Sequence, residues 1–421
     1  MDSKKKNRFL KILKVTGAVL VIILIILLIV RFIGKLYYNR TPDGGINETL
    51  YIDVNGQQQW LNIYSEDKNN PILLYLHGGP GNATSFADWK VLRKLAEDYT
   101  VVNWDQRNSG LTLIHDPQDT EITPELMRQD IDRVVDYILD YSGKNKLTLM
   151  GMSWGSMYAI DYASRRPENV ECLICLSLAL EQDYIDEHIN NAVRDYVSGK
   201  IDFRTAVDTY GYDLFLLNSP FSAVEDISLQ KKFYEGSRLA YLELSEGDEK
   251  YHALAEKFDP SVYVDSYHDQ SNKKLMKKAN AEEATEIKLM KKYGYYPFIG
   301  LLDDTDISPV AAIFFNPYYS LGDWVHFKYE GYDDETIERI FADFKPSEIK
   351  ELEMPFYVLQ GSLDCHSGAD RKYFDQVKAP YKEFHIIKGG HVSTMTQSEK
   401  LASFIHMIAE NQQNYKSVPM K

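Results

Sequence analysis

The sequence predicts an α/β fold: a mostly parallel sheet flanked by helices, with a large, mainly helical insertion and an N-terminal transmembrane helix. Three observations carry this. From Pro71 to Leu180, short apolar runs alternate with amphipathic stretches, the rhythm of strand–helix–strand units. The rhythm stops near Glu181 and resumes at Met354. Ahead of it, Val15 to Val30 carries no charge.

That first run has Thr16 as its only polar side chain. Lys4, Lys5, Lys6, Arg8, Lys11 and Lys14 precede it; Arg31, Lys35 and Arg40 follow. Sixteen helical residues reach only about 24 Å, against a hydrocarbon core of ~30 Å. Ile12, Leu13, Phe32 and Ile33 complete the span if Lys14 and Arg31 snorkel to the interfaces. A cleaved signal peptide shares the basic start, but its apolar region is shorter and ends at small residues. Here the run ends Arg31-Phe-Ile-Gly-Lys-Leu-Tyr-Tyr. A buried helix is the third alternative. The basic excess before the span places the N-terminus in the cytoplasm and the body outside the cell membrane, single-pass. Residues 1–34 are thus expected to be a basic segment and anchor, with the lipid bilayer as partner.

The body follows in order. Glu48–Val54 and Gln59–Tyr64 alternate apolar and polar around Asn55-Gly56, a hairpin signal. Pro71–Leu76 and Thr100–Trp104 read as buried strands and Phe86–Tyr99 as a helix between them. Pro124–Tyr141 is an amphipathic helix with Met127, Ile131, Val134, Val135 and Ile138 on one face. Lys146–Met150 is a strand, Trp154–Ser164 a helix and Val170–Leu180 a strand. After the insertion come strands Met354–Gln360 and Lys382–Ile387 and the helix Ser398–Asn411. The expected units are a core in two parts, 35–180 and 354–421, and a helical cap, 181–353, too long for a loop. Within the cap, Lys273–Lys292 reads as a solvated helix. The aromatic stretch Phe314–Trp324 would line a substrate pocket or form cap core.

Composition narrows the function. Apolar residues are 44% and charged residues 26%, ordinary globular usage. The net charge is −15, yet residues 1–34 hold seven Lys/Arg and one Asp, which leaves −21 on the rest. Such a body is no partner for nucleic acid. Cys172, Cys175 and Cys365 are too few for a disulfide framework. Cys172 and Cys175 lie three apart in one predicted strand, on opposite faces, which disfavours a redox or metal role. No H-E-x-x-H, P-loop or dinucleotide pattern occurs.

The chemistry sits at strand ends. Gly151-Met152-Ser153-Trp154-Gly155 fits G-x-S-x-G, with an apolar strand before it and a helix after it. Such a turn lifts a serine hydroxyl out of the sheet. Serine needs a base and an orienting acid, which follow it in the order Ser…Asp/Glu…His at sites of this kind. Among ten histidines, His391 follows the last strand and Gly389-Gly390; His385 lies inside that strand and His406 in the final helix. His366 is a rival base. Asp364 follows the preceding strand, with Asp370 as the rival acid or, more simply, a helix N-cap. Leu76-His77-Gly78-Gly79-Pro80-Gly81 follows a strand and exposes backbone N–H groups; Gly79 and Trp154 are the expected oxyanion donors, with Gly78 open.

His77-Gly-Gly-Pro-Gly81, Trp104-Asp-Gln-Arg-Asn-Ser-Gly110 and Gly151-Met-Ser-Trp-Gly-Ser156 together resemble the proline iminopeptidase branch of the α/β-hydrolases. The resemblance covers about residues 45–180 and 350–410. It implies an α/β-hydrolase core with a helical cap and a serine hydrolase without metal or cofactor. It also implies Ser153, Asp364 and His391 as the triad and Gly79 and Trp154 as the oxyanion hole. Two positions depart from the family pattern: Asn108 and Met152 stand where glycines are usual. Phe233-Tyr-Glu-Gly236 is similar to a cap segment whose glutamate binds the substrate amine, which makes Glu235 a candidate anchor. Residues 181–260 hold 17 Asp/Glu and 8 Lys/Arg, a balance that would attract an ammonium group or merely solvate a surface. The expected activity is an aminopeptidase releasing proline-like N-terminal residues from small peptides. The alternatives are an esterase, lipase or thioesterase on small or lipid-derived acyl groups, and an inactive surface binding protein.

Overall fold

The computed structural model describes residues 3–293, 306–328, 331–364 and 367–417, and of residues 3–10, 309 and 413–417 the backbone alone. Cys365 and His366 lie outside the described residues.

Among the described residues, eight strands form one sheet in the order β1-β2-β4-β3-β5-β6-β7-β8. β1 (Ile46–Val54) and β2 (Gln57–Ser65) form the antiparallel hairpin. Its turn places Asn55 and Gly56 at φ 49° and 81°, the pair of positive values a tight hairpin requires. β2 runs antiparallel to β4 (Thr100–Asp105). Every other pairing is parallel, through β3 (Ile72–Leu76), β5 (Leu147–Ser153), β6 (Val170–Leu178), β7 (Phe356–Gly361) and β8 (Lys382–Ile387).

Strand alternation divides the core between two faces. Leu74, Val102, Leu149, Leu173 and Val358 pack under the helices Pro124–Ser142 and Trp154–Arg165. Leu73, Val101, Met150, Ile174 and Leu359 pack against Val91 and Leu92 of the helix Trp89–Lys94 and Leu401 and Ile405 of Ser398–Ser417. Helix Pro124–Ser142 opens on a Thr123 cap whose hydroxyl accepts from Leu126 N–H, with Pro124 at its first position, and stops at Gly143 in the left-handed region.

The helix expected over Phe86–Tyr99 is shorter: Trp89–Lys94, continued by a 3₁₀ turn, Leu95–Glu97. The carbonyls of Ser85 and Phe86 accept from the Asn316 amide, which draws them out of a helical ladder. A short helix, Gly110–His115, follows β4 and had no periodic signal.

The insertion has two destinations. Its first half, helices from Gln182–Val197 to Lys273–Tyr293, builds a core of its own around Val193, Phe215, Phe233, Tyr241, Phe258 and Leu289. Lys273–Tyr293 is therefore not wholly solvated: Ala279 and Leu289 are buried, and Glu286 accepts from Tyr263 Oη at 2.9 Å. The second half returns to the sheet. Ile340 and Phe344 join the core under Trp154, and Tyr319 packs with Trp60 and Leu111. The aromatic stretch Phe314–Trp324 thus packs beside β2.

The N-terminal helix Ser3–Tyr38 is unbroken. Among the described residues it alone is long and apolar enough to cross a membrane, over Lys11–Tyr38, with an 18-residue stretch of mean hydropathy 3.1 that is not buried. A signal sequence has the same look.

Candidate active site

The turn at Ser153 arises from close packing. A Cβ at Gly151 would collide with the carbonyl of Gly155, and one at Gly155 with the carbonyl of Leu76. Without those side chains, β5 runs straight into the helix Trp154–Arg165, and Ser153 sits between them at φ 53°, ψ −123°. That is left-handed territory for a residue with a Cβ, a strained backbone held by its surroundings. Ser156 Oγ donates to the Ser153 carbonyl at 2.6 Å and fixes the turn from the other side.

His391 follows β8, and its Nδ1 lies 2.7 Å from Asp364 Oδ2. Asp364 is buried, at 1% exposure. Burial alone would lower the imidazole's pKa; the hydrogen bond and charge of Asp364 outweigh it and hold the ring above its ordinary value. Ser153 and His391 line one cavity of about 470 Å³. Its apolar wall is Ala179, Leu180, Ile185, Ile337, Phe341 and Ala342, and Gln182, Asp183, Glu338 and Lys345 complete the lining. Asp183 and Lys345 pair across it at 3.5 Å.

Asp370, the rival acid, lies in the first turn of the helix Ser367–Gln376 and is fully buried. Burial and the nearby Asp364 push its carboxyl well above the usual range. Sequence reasoning missed the residue that links the two acids. Gln360, at the end of β7, donates from Nε2 to Asp364 and to Asp370, both at 3.0 Å, while its Oε1 accepts from Leu178 N–H at 2.9 Å. A glutamine closing an apolar strand was the available signal. Ser177, at φ 46°, donates to the His391 carbonyl and was likewise unmarked.

His77 has a different part from that of an acid–base group. It is buried, and desolvation pulls its pKa down to about 4, so it stays neutral. Gln106 N–H donates to Nε2 at 3.1 Å, which leaves the proton on Nδ1, 2.8 Å from the Gly78 carbonyl. In a planar trans peptide N–H and C=O point opposite ways. With the Gly78 carbonyl turned to His77, the Gly79 N–H is directed away from it. Gly78 itself abuts the serine: a Cβ there would stand 3.4 Å from Ser153 Cβ. The Trp154 amide is the first of its helix and has no partner in the helical ladder.

The two departures from the family pattern have local explanations. Asn108 sits at φ 48°, which asparagine tolerates better than other non-glycine residues, and its Oδ1 accepts from Gln57 Nε2 at 2.7 Å. Met152 is half-buried against the core on the Met150 side of the sheet. Nearby, Arg107 grips Asp130 through Nε and Nη2 at 2.6 and 2.8 Å and locks this loop to the helix Pro124–Ser142.

Glu235 lies exposed on the helix Ile227–Leu244 and is not among the residues lining the Ser153 cavity. Phe233 and Gly236 of the same segment are buried in the cap core, which turns Glu235 outward. The carboxylates at the cavity are Asp183 and Glu338 instead.

A family model described as alpha/beta hydrolase fold matches residues 71–219. The fold is that of an α/β-hydrolase. Its sequence is similar to the proline iminopeptidase branch. The chain is 35% identical to the probable aminopeptidase YbaC of Bacillus subtilis over 117 residues, 28% of this chain and 37% of that protein. It is 27% identical to the proline iminopeptidase of Lactobacillus delbrueckii subsp. bulgaricus over 168 residues, 39% of this chain and 55% of that one. The matches thus span between about a third and just over half the length of these relatives. A solved structure, that of VinJ, aligns with a TM-score of 0.47 at 16% identity, covering 87% of this chain and 99% of the other. Within the chain, the matched stretch contains β3 to β6 with the His77 loop and Ser153; Asp364 and His391 lie beyond it.

Proposed function

We propose that this α/β-hydrolase is a membrane-anchored serine hydrolase that releases N-terminal, proline-like residues from small peptides. The observation that carries the reaction type is the 2.7 Å contact of His391 Nδ1 with buried Asp364, at a cavity that Ser153 also lines. Ser153 Oγ attacks the carbonyl carbon while His391 Nε2 takes its proton. Asp364 keeps the proton on Nδ1 and stabilises the imidazolium. The Gly79 and Trp154 amides receive the developing oxyanion. His391 then protonates the leaving amine, and water, activated by the same imidazole, releases the acyl group and restores Ser153.

The substrate reading rests on similarity to the probable aminopeptidase and the proline iminopeptidase. The small apolar wall suits a proline-like ring, and Glu338 supplies negative charge for a free ammonium, Asp183 being paired with Lys345. The same apolar wall favours a second reading, an esterase acting on small or lipid-derived acyl groups. The helix Lys11–Tyr38 supports retention in the cell membrane, N-terminus inside and body outside.

The test is hydrolysis by the full chain in detergent of proline and other amino-acid anilides, their N-acetylated forms, and acyl esters. Cleavage of free-amine anilides alone supports the aminopeptidase; turnover of esters alone supports the second reading. Ser153→Ala is expected to lower kcat by about a million-fold. Absence of turnover together with failure of a fluorophosphonate to label Ser153 would replace the enzyme by a binding protein. Because His391 must be neutral to act, kcat/KM is expected to rise with pH through a midpoint above the ordinary histidine value of 6.5. Asp364→Asn should lower that midpoint and cut kcat by about ten-thousand-fold; an unmoved midpoint would remove Asp364 from the mechanism.

A further inference from the structure

We propose that the second half of the insertion is a membrane-contact surface, on which Val310, Leu321 and Val325 rest in the lipid bilayer beside the N-terminal helix. The inference depends on Lys11–Tyr38 being a retained membrane span.

The first observation concerns depth. The apolar stretch from Ile12 to Ile33 rises about 33 Å as a helix, close to the ~30 Å of a hydrocarbon core. Arg31 and Lys35 then stand at the outer headgroup boundary, and Tyr37 and Tyr38 in the interfacial belt favoured by aromatic residues.

The second concerns what those residues hold. Arg31 donates to the carbonyls of Phe314 and Tyr319, the latter at 3.0 Å. Lys35 Nζ reaches the same Tyr319 carbonyl at 3.3 Å. Gly34, between them, leaves the space that the Phe315 ring fills; a Cβ there would collide with it. One turn on, the Tyr38 ring meets Trp89 edge-on at 4.8 Å, and its carbonyl accepts from Arg93 at 2.5 Å. Positions 31, 34, 35 and 38 share one helix face. That face is docked on the body, so the segment Phe314–Tyr319 is held at the depth of Arg31.

The third is exposure. On either side of that segment, the helices Pro309–Phe314 and Leu321–His326 carry Val310 at 77%, Leu321 at 57% and Val325 at 80% exposed. Val310 and Val325 are the two most exposed large apolar side chains among the described residues. Single exposed valines are unremarkable on a soluble surface. Two valines and a leucine flanking a strip fixed at headgroup depth lie where lipid would cover them. The bilayer thereby sets the orientation of the body as well as its location. The contact strip also leads to the site loop: Asn316 holds the carbonyls of Ser85 and Phe86, just after Gly81.

The test places a fluorophore at V310C, V325C, L239C or I23C in the full chain. The unsubstituted chain, labelled in parallel, subtracts native thiols. Each is reconstituted in vesicles of phosphatidylcholine and phosphatidylglycerol with shallow or deep doxyl-labelled lipid. Leu239, half-exposed on the first half of the insertion, is the control. The expected result is about twofold stronger quenching by shallow doxyl at 310 and 325 than at 239, and quenching by deep doxyl at 23. Quenching at 23 with 310 and 325 equal to 239 overturns the contact surface and leaves the span standing. No quenching at 23 overturns the span. Emission at 325 that is shielded in detergent only at high protein concentration, and is untouched by doxyl lipid, assigns the patch to a second copy and overturns the proposal.

Discussion

The two halves of the insertion are built from similar material, aromatic and helical, but they bury it in different places. Phe233 and Tyr241 of the first half face other insertion side chains, in a cluster that contains no sheet residue. Phe344 of the second half packs edge-on to Trp154, at 4.9 Å, beneath the residue that follows the serine. Phe341 and Ile337, one and two turns earlier, line the serine's cavity. The second half is thus part of the sheet domain in all but sequence position, while the first half has a core of its own and reaches the sheet and the serine cavity through Ile185 of its first helix. Length and composition do not reveal such a division; the destination of each large side chain does.

Several substitutions would break or sharpen this contrast. Phe344→Ala opens a cavity in the sheet core and is expected to cost about 3–5 kcal/mol of global stability, read from thermal unfolding. Phe233→Ala removes a comparable side chain from the first half's own core. Its expected signature is faster hydrogen exchange confined to residues 182–293, with the sheet amides unchanged. If both variants loosened the sheet equally, the two halves would form one cooperative unit. Phe341→Ala, at the cavity wall, should lower kcat/KM about tenfold for substrates with an apolar side chain, with Glu235→Gln close to unsubstituted. A large effect at Glu235 would mean that the helix Ile227–Leu244 also reaches the site.

The smallest effect concerns Glu286. Burial pushes its carboxyl up to about 7, from 4.5, against a helping hydrogen bond from Tyr263. The folded chain therefore holds a proton that the unfolded chain releases, and stability of the first half should fall as pH rises from about 4.5 to 7. The expected change is on the order of 1 kcal/mol, followed by exchange within 182–293, and Glu286→Gln should flatten it.

Much of the sheet was legible because its signals are local. Apolar runs of five or six residues, Asn55-Gly56 and the glycines around Ser153 each act within a few residues of themselves. Asp364 and His391 could be singled out because each follows a strand whose end the pattern marks. His77 was noticed only as the head of a glycine-rich turn. Its orienting contact comes from Gln106, 29 residues away, and no spacing rule anticipates it. The tetrapeptide around Glu235 says nothing about which side of its helix faces the core; Phe233 and Gly236 decide that. The fate of the aromatic stretch Phe314–Trp324 hung on Asn316 and Tyr319 finding β2 and the turn before Trp89, pairings more than two hundred residues apart.

The left-handed backbone of Ser153 has a consequence for which replacements the position accepts. A residue without a Cβ relaxes there, so Ser153→Gly should be more stable than the native chain by about 1 kcal/mol while losing all turnover. A cysteine keeps a nucleophile at the same cost. A threonine, whose second branch crowds a positive φ, should fold poorly although it carries a hydroxyl group. Stability and reactivity therefore pull this one residue in opposite directions, and selection for robustness alone would remove it.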